Sequence, residues 1–331
     1  LTLTTLSGGM MKAFVYKRYG SPNVLKLTEV EKPTPEDGEV LVKVRGISIN
    51  PFDWRLMRGS PFLARLFNGI LRPKNQILGA DIAGDVVAVG NGVTEFKVGD
   101  AVFGGSGFGG FAEYVKIPEK GLAHKPANVS YEDAASFPLV GFTALQGLRD
   151  AGNIQAGQKV LVNGASGGVG SMAVKLAKHF GAEVTGVCST RNTELVRSIG
   201  ADHVIDYTKT DFTQNGVQYD LIYDAKGNRT VADFQRALKP NGMAIVAGFT
   251  TLWHMIRFSI GAGRVSKRGT QKIGMMPTAI RAKADLLIIQ DMIATGKITP
   301  IIDRYYSFNE IPEAVGYVEK GHARGKVVVR V

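Results

Sequence analysis

Val160-Leu161-Val162-Asn163-Gly164-Ala165-Ser166-Gly167-Gly168-Val169-Gly170 decides the fold. A short apolar strand runs into a glycine turn. The turn opens a helix on which Val169, Met172, Ala173, Leu176, Ala177 and Phe180 share one face. A second strand, Glu183–Cys188, follows, and this order makes a βαβ unit with parallel strands. Gly167 and Gly168, flanked by Ser166 and Val169, let the backbone approach a pyrophosphate, and Gly170 lets the helix pack closely on the strand. The helix N-terminus adds free N–H groups and a partial positive charge. The segment reads as a dinucleotide site.

The tip of the second strand chooses the dinucleotide. NAD sites carry an Asp or Glu there, about 20 residues after the turn, to hold the ribose hydroxyl. This chain has Cys188-Ser189-Thr190-Arg191 instead. With no carboxylate to repel a 2′-phosphate, Ser189 and Thr190 are free to donate hydrogen bonds and Arg191 to make a charge-assisted pair. NADP(H) is therefore expected. Cys188 reads as a small core residue at a strand end, since no His or Asn motif lies nearby to activate it.

Outward from this unit the alternation continues through His203–Asp206, Leu221–Asp224 and Ala244–Ala247. Gly200 closes a helix begun near Thr193, Asn228 reads as a helix N-cap, and Pro240-Asn241-Gly242 as a turn. Before about residue 130 the pattern differs. Met11–Tyr16, Glu39–Ile49 and Gly84–Val89 are strands, punctuated by Pro33-Thr34-Pro35, Asp37-Gly38, Gly90-Asn91-Gly92 and Gly99-Asp100. Short strands and tight turns predict a small antiparallel barrel or sandwich. Ile298–Ile302 and Lys326–Val331 read as strands, the latter returning to the N-terminal domain. The expected division is a tail over 1–10, one domain from 11–126 and 296–331, and a nucleotide domain over 127–295.

At 331 residues, 44% apolar and 21% charged, the chain is too long for one ordinary core and rich enough to bury two. Its single cysteine excludes an intrachain disulfide and any zinc site needing two thiolates. No apolar run reaches the roughly 18 residues of a membrane span, and Leu1–Met10 has no secretory pattern. A reduced, cytoplasmic protein is expected. The net charge of +11 invites a nucleic-acid partner, but the cations are mostly scattered and no aromatic-plus-basic motif appears, so none is expected. One segment stands apart. Arg257, Arg264, Lys267, Arg268 and Lys272 occur with no acid between residues 251 and 276. Trp253, Ile256 and Ile260 there are spaced i, i+3, i+7 as one apolar helical face. A cap over a substrate cleft, contact with an anionic membrane and an ordinary surface helix all remain open.

Taken together, the chain resembles the medium-chain dehydrogenase/reductase superfamily, and within it the zinc-free quinone oxidoreductases. The resemblance spans Met11 to Val331. It rests on Asn50-Pro51-Phe52-Asp53-Trp54, Gly79-Ala80-Asp81-Ile82-Ala83-Gly84, Val98-Gly99-Asp100-Ala101-Val102-Phe103-Gly104 and Gly110-Phe111-Ala112-Glu113-Tyr114. Phe142-Thr143-Ala144-Leu145, Gly200-Ala201-Asp202 and Gly321-His322-Ala323-Arg324-Gly325-Lys326 add to it. It implies an α/β protein with a Rossmann doubly wound parallel sheet plus a GroES-like β-barrel domain built from both chain ends. It also implies a homodimer, and a quinone or α,β-unsaturated carbonyl as substrate.

The zinc dehydrogenases of that superfamily hold metal through Cys, His and Cys; here those positions carry Ser48, Ala80 and Leu139 or a neighbour of it, so no metal is expected. Hydride transfer to a conjugated carbonyl spreads charge into an enolate, which a few hydrogen bonds can hold. By resemblance Asn50 stands where zinc relatives relay protons, and is expected to donate to a developing oxyanion. Asp53 would orient Asn50 or a water, and Thr143 would touch the nicotinamide. Tyr207 would pack near the 2′-phosphate, with Ala225, Gly248 and Phe249 beside the nicotinamide and its ribose. Phe52, Trp54, Phe137 and Trp253 would supply apolar walls. A zinc-free alcohol or ketone dehydrogenase and a non-catalytic NADP- or RNA-binding member are the rival readings.

Overall fold

The computed structural model describes residues 9–248, 252–276 and 282–331; Phe249 lies outside them. The chain divides into two compact units. Unit 1 takes residues up to Leu139, Ile280–Ala294 and Ile302–Val331, and unit 2 takes Val140–Ala279 and Thr295–Ile301.

Unit 1 opens with strands β1 (Met10–Val15), β2 (Lys26–Glu31) and β3 (Glu39–Ile49) and helices α1 (Pro51–Arg58) and α2 (Leu63–Asn68). Strands β4 (Asp81–Val89), β5 (Ala101–Gly105), β6 (Tyr114–Pro118) and β7 (Leu122–His124) follow, then helix α3 (Tyr131–Ala135); α4 (Pro138–Gln146) begins in unit 1 and passes into unit 2 after Leu139. β3 is the spine, pairing antiparallel with β4 and β6. Its β-branched residues Val40, Val42, Val44, Ile47 and Ile49 are buried in one cluster with Ile82, Val86, Val102, Val115 and Ile117. Lys43 is half-buried and Arg45 exposed, so the first half of the strand is apolar along one face and partly open along the other. Gly46 interrupts the β-branched series because α3 crosses there; a Cβ would stand 2.8 Å from the Tyr131 carbonyl oxygen.

Unit 2 holds β8 (Lys159–Asn163), α5 (Gly168–His179), β9 (Glu183–Cys188), α6 (Thr193–Ser198), β10 (His203–Asp206) and β11 (Tyr219–Asp224). It continues through α7 (Val231–Ala237), β12 (Leu238–Val246), α8 (Leu252–Arg268) and β13 (Lys272–Met275). Among the described residues these strands form one parallel sheet in the order β10-β9-β8-β11-β12-β13. That is the Rossmann order, and its reversal falls between β8 and β11, where such sheets bind ligands beyond the strand ends. The chain then returns to unit 1 through α9 (Lys283–Ala294), β14 (Ile302–Ser307), α10 (Ile311–Glu319) and β15 (Lys326–Arg330). β15 pairs antiparallel with β3, so the last strand does rejoin the N-terminal sheet.

Several expectations change. The cut falls after Leu139 rather than after residue 126. α9, grouped above with the nucleotide domain, belongs to unit 1. Lys283 Nζ donates to the Leu122 carbonyl (2.6 Å) and Gln290 Nε2 to that of His124 (2.8 Å). Thr230, not Asn228, caps α7, in a reciprocal pair with Asp233. Pro240-Asn241-Gly242 lies inside β12, with Asn241 at φ 65°. The expected strand at Ile298–Ile302 begins only at Ile302; Ile298 is buried outside any strand.

α8 is a helix of 17 residues, but it buries a different face from the one read in the sequence. Phe258, Ala262 and Val265, spaced i, i+4, i+7, pack into the unit 2 core, and Phe258 meets Phe234 edge to face at 5.9 Å. Trp253, Ile256 and Ile260 are 67%, 41% and 53% exposed. Replacing Phe258 by Ala should therefore cost about 3–5 kcal/mol of unfolding free energy. Trp253→Ala should change it by no more than about 0.5 kcal/mol. Chemical denaturation of the two variants checks this, and the reverse ranking would show that the other face is buried.

Candidate active site

The predicted site residues fall into two groups, one in each unit. In unit 2, β8 ends at Asn163 and the chain turns through Gly164 at φ 83° into α5. A Cβ on Gly170 would lie 2.0 Å from the Gly164 carbonyl oxygen, so only glycine fits where the helix meets the turn. Gly167 is the N-cap and brings no side chain over the first turn, whose N–H groups have no intrahelical acceptor. This is a cradle of the size and polarity that a diphosphate fits.

At the reversal of strand order, Asn163 Nδ2 donates to Asp224 Oδ1 (2.8 Å) and Asn228 Oδ1 (3.3 Å). Asp224 Oδ1 also accepts from the Lys226 and Gly227 backbone, at 2.9 and 3.1 Å. Its Oδ2 is buried with no partner, and burial pushes this carboxyl above its usual range. An unpartnered buried oxygen beside the turn suits a ligand that brings hydroxyl donors, such as a ribose. Ala225 donates its backbone N–H to the Asn163 carbonyl (3.1 Å), and a Cβ on Gly248 would lie 3.7 Å from the Ala225 carbonyl oxygen. The structure thus brings Ala225 and Gly248 together.

At the tip of β9, Asn192 donates from Nδ2 to Ser166 Oγ (3.0 Å) and Ser189 Oγ (3.2 Å), tying the glycine turn to the cofactor-selecting segment. Thr190 is occupied differently from the expectation. Its hydroxyl donates to Asp206 Oδ2 (2.6 Å), and Thr208 donates to Asp206 Oδ1 (2.7 Å). The Thr190 bond, first among several, holds the Asp206 carboxyl below its ordinary range. So a carboxylate does stand beside this segment, supplied by the tip of β10. That corrects both the picture of an acid-free pocket and the assignment of Thr190 as a phosphate donor. Ser189 and the exposed Arg191 and Tyr207 remain. Cys188 is buried, and burial pushes its thiol up to about 11, away from the reactive thiolate. Thr143 is buried on α4, where Tyr223 Oη donates to its carbonyl (3.0 Å).

In unit 1, Asn50 and Asp53 lie at the start of α1, joined by two residues that sequence reasoning did not assign, Asp81 and Lys326. Lys326 Nζ donates to Asn50 Oδ1. Asn50 Nδ2 donates to Asp81 Oδ2 (2.9 Å) and to the Ser48 carbonyl (3.1 Å). A lysine on the oxygen and a carboxylate on the nitrogen fix the amide orientation. Both amide hydrogens are committed, so the oxyanion-donor role expected of Asn50 does not fit this geometry. Asp53 does not reach the Asn50 side chain either. It accepts from the Asn50 backbone N–H (2.7 Å) and the Gly79 N–H (3.2 Å), as the acid of a helix first turn.

Lys326 Nζ stands 3.9 Å from Asp81 Oδ2. All four side chains are buried, Lys326 most open at 6%. Burial raises Asp53 to about 7 and Asp81 to about 6, and it lowers Lys326. The Ser48 hydroxyl is buried without a partner. Among the described residues no group of three or more His, Cys, Asp or Glu is placed to hold a metal ion. Phe52 and Trp54 pack half-buried against the barrel core, and Phe137 is fully buried.

Comparison with known proteins places the chain. Residues 36–127 match the alcohol dehydrogenase GroES-like domain, and residues 199–329 match the zinc-binding dehydrogenase family. A chloroplast envelope quinone oxidoreductase homolog of Arabidopsis thaliana is 34% identical over 98% of this chain and 99% of its own length. An NADPH-dependent alkenal/one oxidoreductase, chloroplastic, of the same plant is 35% identical over 96% of this chain and 79% of its own. The structure of the quinone oxidoreductase from Coxiella burnetii superposes with a TM-score of 0.83 at 30% identity, over 98% of this chain and all of that one. The chain belongs to the quinone oxidoreductase group of the medium-chain dehydrogenase/reductase superfamily. The expectation of a cytoplasmic protein is overturned by these relatives, several of which are named as chloroplastic or mitochondrial proteins. Among the described residues no helix is long and apolar enough to cross a membrane.

If Asp206 borders the 2′-phosphate, removing its charge should favour the phosphorylated cofactor. Asp206→Asn should tighten NADPH relative to NADH several-fold. Arg191→Ala should weaken NADPH by about 1.5–3 kcal/mol and NADH far less. Fluorescence titration of both cofactors reads the two effects; equal changes for NADPH and NADH would remove both residues from the phosphate site.

Proposed function

We propose that the protein is an NADPH-dependent oxidoreductase that reduces quinones or α,β-unsaturated carbonyls without a catalytic metal. The observation that carries the metal-free part is the unit 1 cluster. By resemblance the positions of the superfamily's zinc ligands hold Ser48, Ala80 and Leu139 or a neighbour of it, and beside them lies a buried Lys326–Asn50–Asp81 chain. The quinone oxidoreductase and alkenal/one oxidoreductase relatives support the substrate class.

NADPH supplies a hydride. In unit 2, α5 and its glycine turn hold the diphosphate, Asp224 with its free oxygen accepts from a ribose hydroxyl, and Ser189, Arg191 and Tyr207 face the 2′-phosphate. Thr143 fixes the nicotinamide. A substrate that delocalises its developing negative charge needs no more than a few hydrogen bonds. A saturated ketone, whose alkoxide is localised, needs an electrophile in contact.

Following NADPH oxidation with a quinone, an enone and a saturated aldehyde tests this. Turnover of the conjugated substrates should exceed that of the aldehyde by roughly tenfold or more in kcat/KM, a difference of about 1.4 kcal/mol per tenfold. EDTA should leave the rate intact, and elemental analysis should find no stoichiometric zinc. One zinc per chain with chelation abolishing turnover would overturn the metal-free reading. Preferential aldehyde turnover would overturn the substrate class.

A further inference from the structure

The unit 1 cluster does not end at Asp81. Asp81 Oδ1 accepts from the Leu139 backbone N–H at 3.0 Å. Leu139 is the second residue of α4, in the first turn, where backbone N–H groups have no acceptor within the helix. Asp81 therefore acts as a helix cap supplied from another element, and its negative charge complements the positive end of the helix. Thr143 lies one turn further along the same helix, with its carbonyl held by Tyr223 Oη.

A continuous buried chain runs from β15 through the start of α1 and β4 to α4: Lys326 Nζ to Asn50 Oδ1, Asn50 Nδ2 to Asp81 Oδ2, Asp81 Oδ1 to Leu139 N. Asn50 and Asp81 are each about 1% exposed. Every link has a defined donor and acceptor, so none can turn without breaking the next. Without the ammonium, Asn50 Oδ1 loses its donor, and Asp81 loses the cation that faces it while Asp53 remains beside it. The cap on α4 is then held by a carboxylate that keeps its Asn50 and Leu139 donors but faces no cation.

We propose that Lys326 is a positioning residue of the reductase, acting through Asn50 and Asp81 on the first turn of α4 and so on the placement of Thr143. This rests on the reductase reading above and on Thr143 meeting the nicotinamide. In this role Lys326 acts through its protein partners, by setting where α4 begins.

The test compares the full-length protein with Lys326→Met and with Lys326→Met/Asp81→Asn, in which the remaining cluster carries one charge fewer. Loss of a cation opposite a buried carboxylate should lower the melting temperature of the single variant, and removing that carboxylate's charge should restore much of it. Misplacement by about an ångström costs up to 10²-fold in rate. The expected result is a roughly 10–100-fold fall in kcat in both variants, with NADPH affinity changed by no more than about threefold. The primary isotope effect from 4-deuterated NADPH should rise because hydride transfer has become the slow step.

Amide exchange gives a reading without turnover. The Leu139–Thr143 amides should exchange at least about tenfold faster in Lys326→Met. If the double variant regains kcat together with its melting temperature, Lys326 is a purely structural residue and the proposal falls. It also falls if α4 exchange is unchanged, whether or not the wild type turns over a substrate. If Lys326→Met does not fold, Lys326→Arg keeps the charge but moves it. It should melt near the wild type with lowered kcat, and wild-type kcat would overturn the proposal. Absence of NADPH-linked turnover in the wild type sinks the reductase reading instead.

Discussion

A lysine stripped of water must be answered by its surroundings, and the barrel unit is arranged around that obligation. Moving an ammonium or a carboxylate out of water costs several kcal/mol per ion unless hydrogen bonds and opposite charge return it. Unit 1 buries one lysine and two aspartates within a few ångströms of one another. The compensation draws on every neighbouring element. β15 brings the cation, the end of β3 brings an amide with all its polar atoms engaged, β4 brings one carboxylate and α1 the other. The start of α4 closes the network through a backbone N–H. Burial raises both carboxyls and lowers the ammonium, as desolvation does to any charged group.

Unit 2 answers a different constraint, the close approach of backbone to backbone. The Gly170 position leaves no room for a methyl group, and that contact sets the angle at which α5 leaves the turn. The Asn163–Asp224 bond then joins the ends of β8 and β11 where strand order reverses. The two features build the nucleotide cradle from main chain and short side chains, with the Asp224 carboxyl at the strand reversal and Arg191 and Asp206 at the edge.

Much of the fold was legible because its signals are local. Glu39–Ile49, Glu183–Cys188 and His203–Asp206 are short stretches rich in Val and Ile, and the structure gives each of them those same bounds. Where two signals competed, the reading slipped. Asn228 and Thr230 both suit an N-cap, and only Thr230 has an acid three residues on to reciprocate. On α8 both Trp253-Ile256-Ile260 and Phe258-Ala262-Val265 have helical spacing, and the core chose the second. The site divided in the same way. The glycine turn is one stretch of sequence, whereas Asp206 meets Thr190 from the next strand and Lys326 meets Asn50 from the far end of the chain. A lysine opening a short terminal strand looks like any solvated strand end, and nothing in its neighbours announces that the side chain turns inward.

The separation of Lys326 from its acceptor, 276 positions along the chain, also dictates an order of assembly. Loop closure over such a span is costly, so contacts local to unit 2 form sooner than the β3–β15 pairing. On a ribosome, the β15 edge of β3 stays unoccupied while the whole nucleotide-binding sheet is made. The Gly46–Ile49 edge is thus open during the longest interval of synthesis, with Arg45 as the neighbouring charge that discourages pairing with another chain. The barrel is finished last, and its buried charges meet only when the final strand arrives.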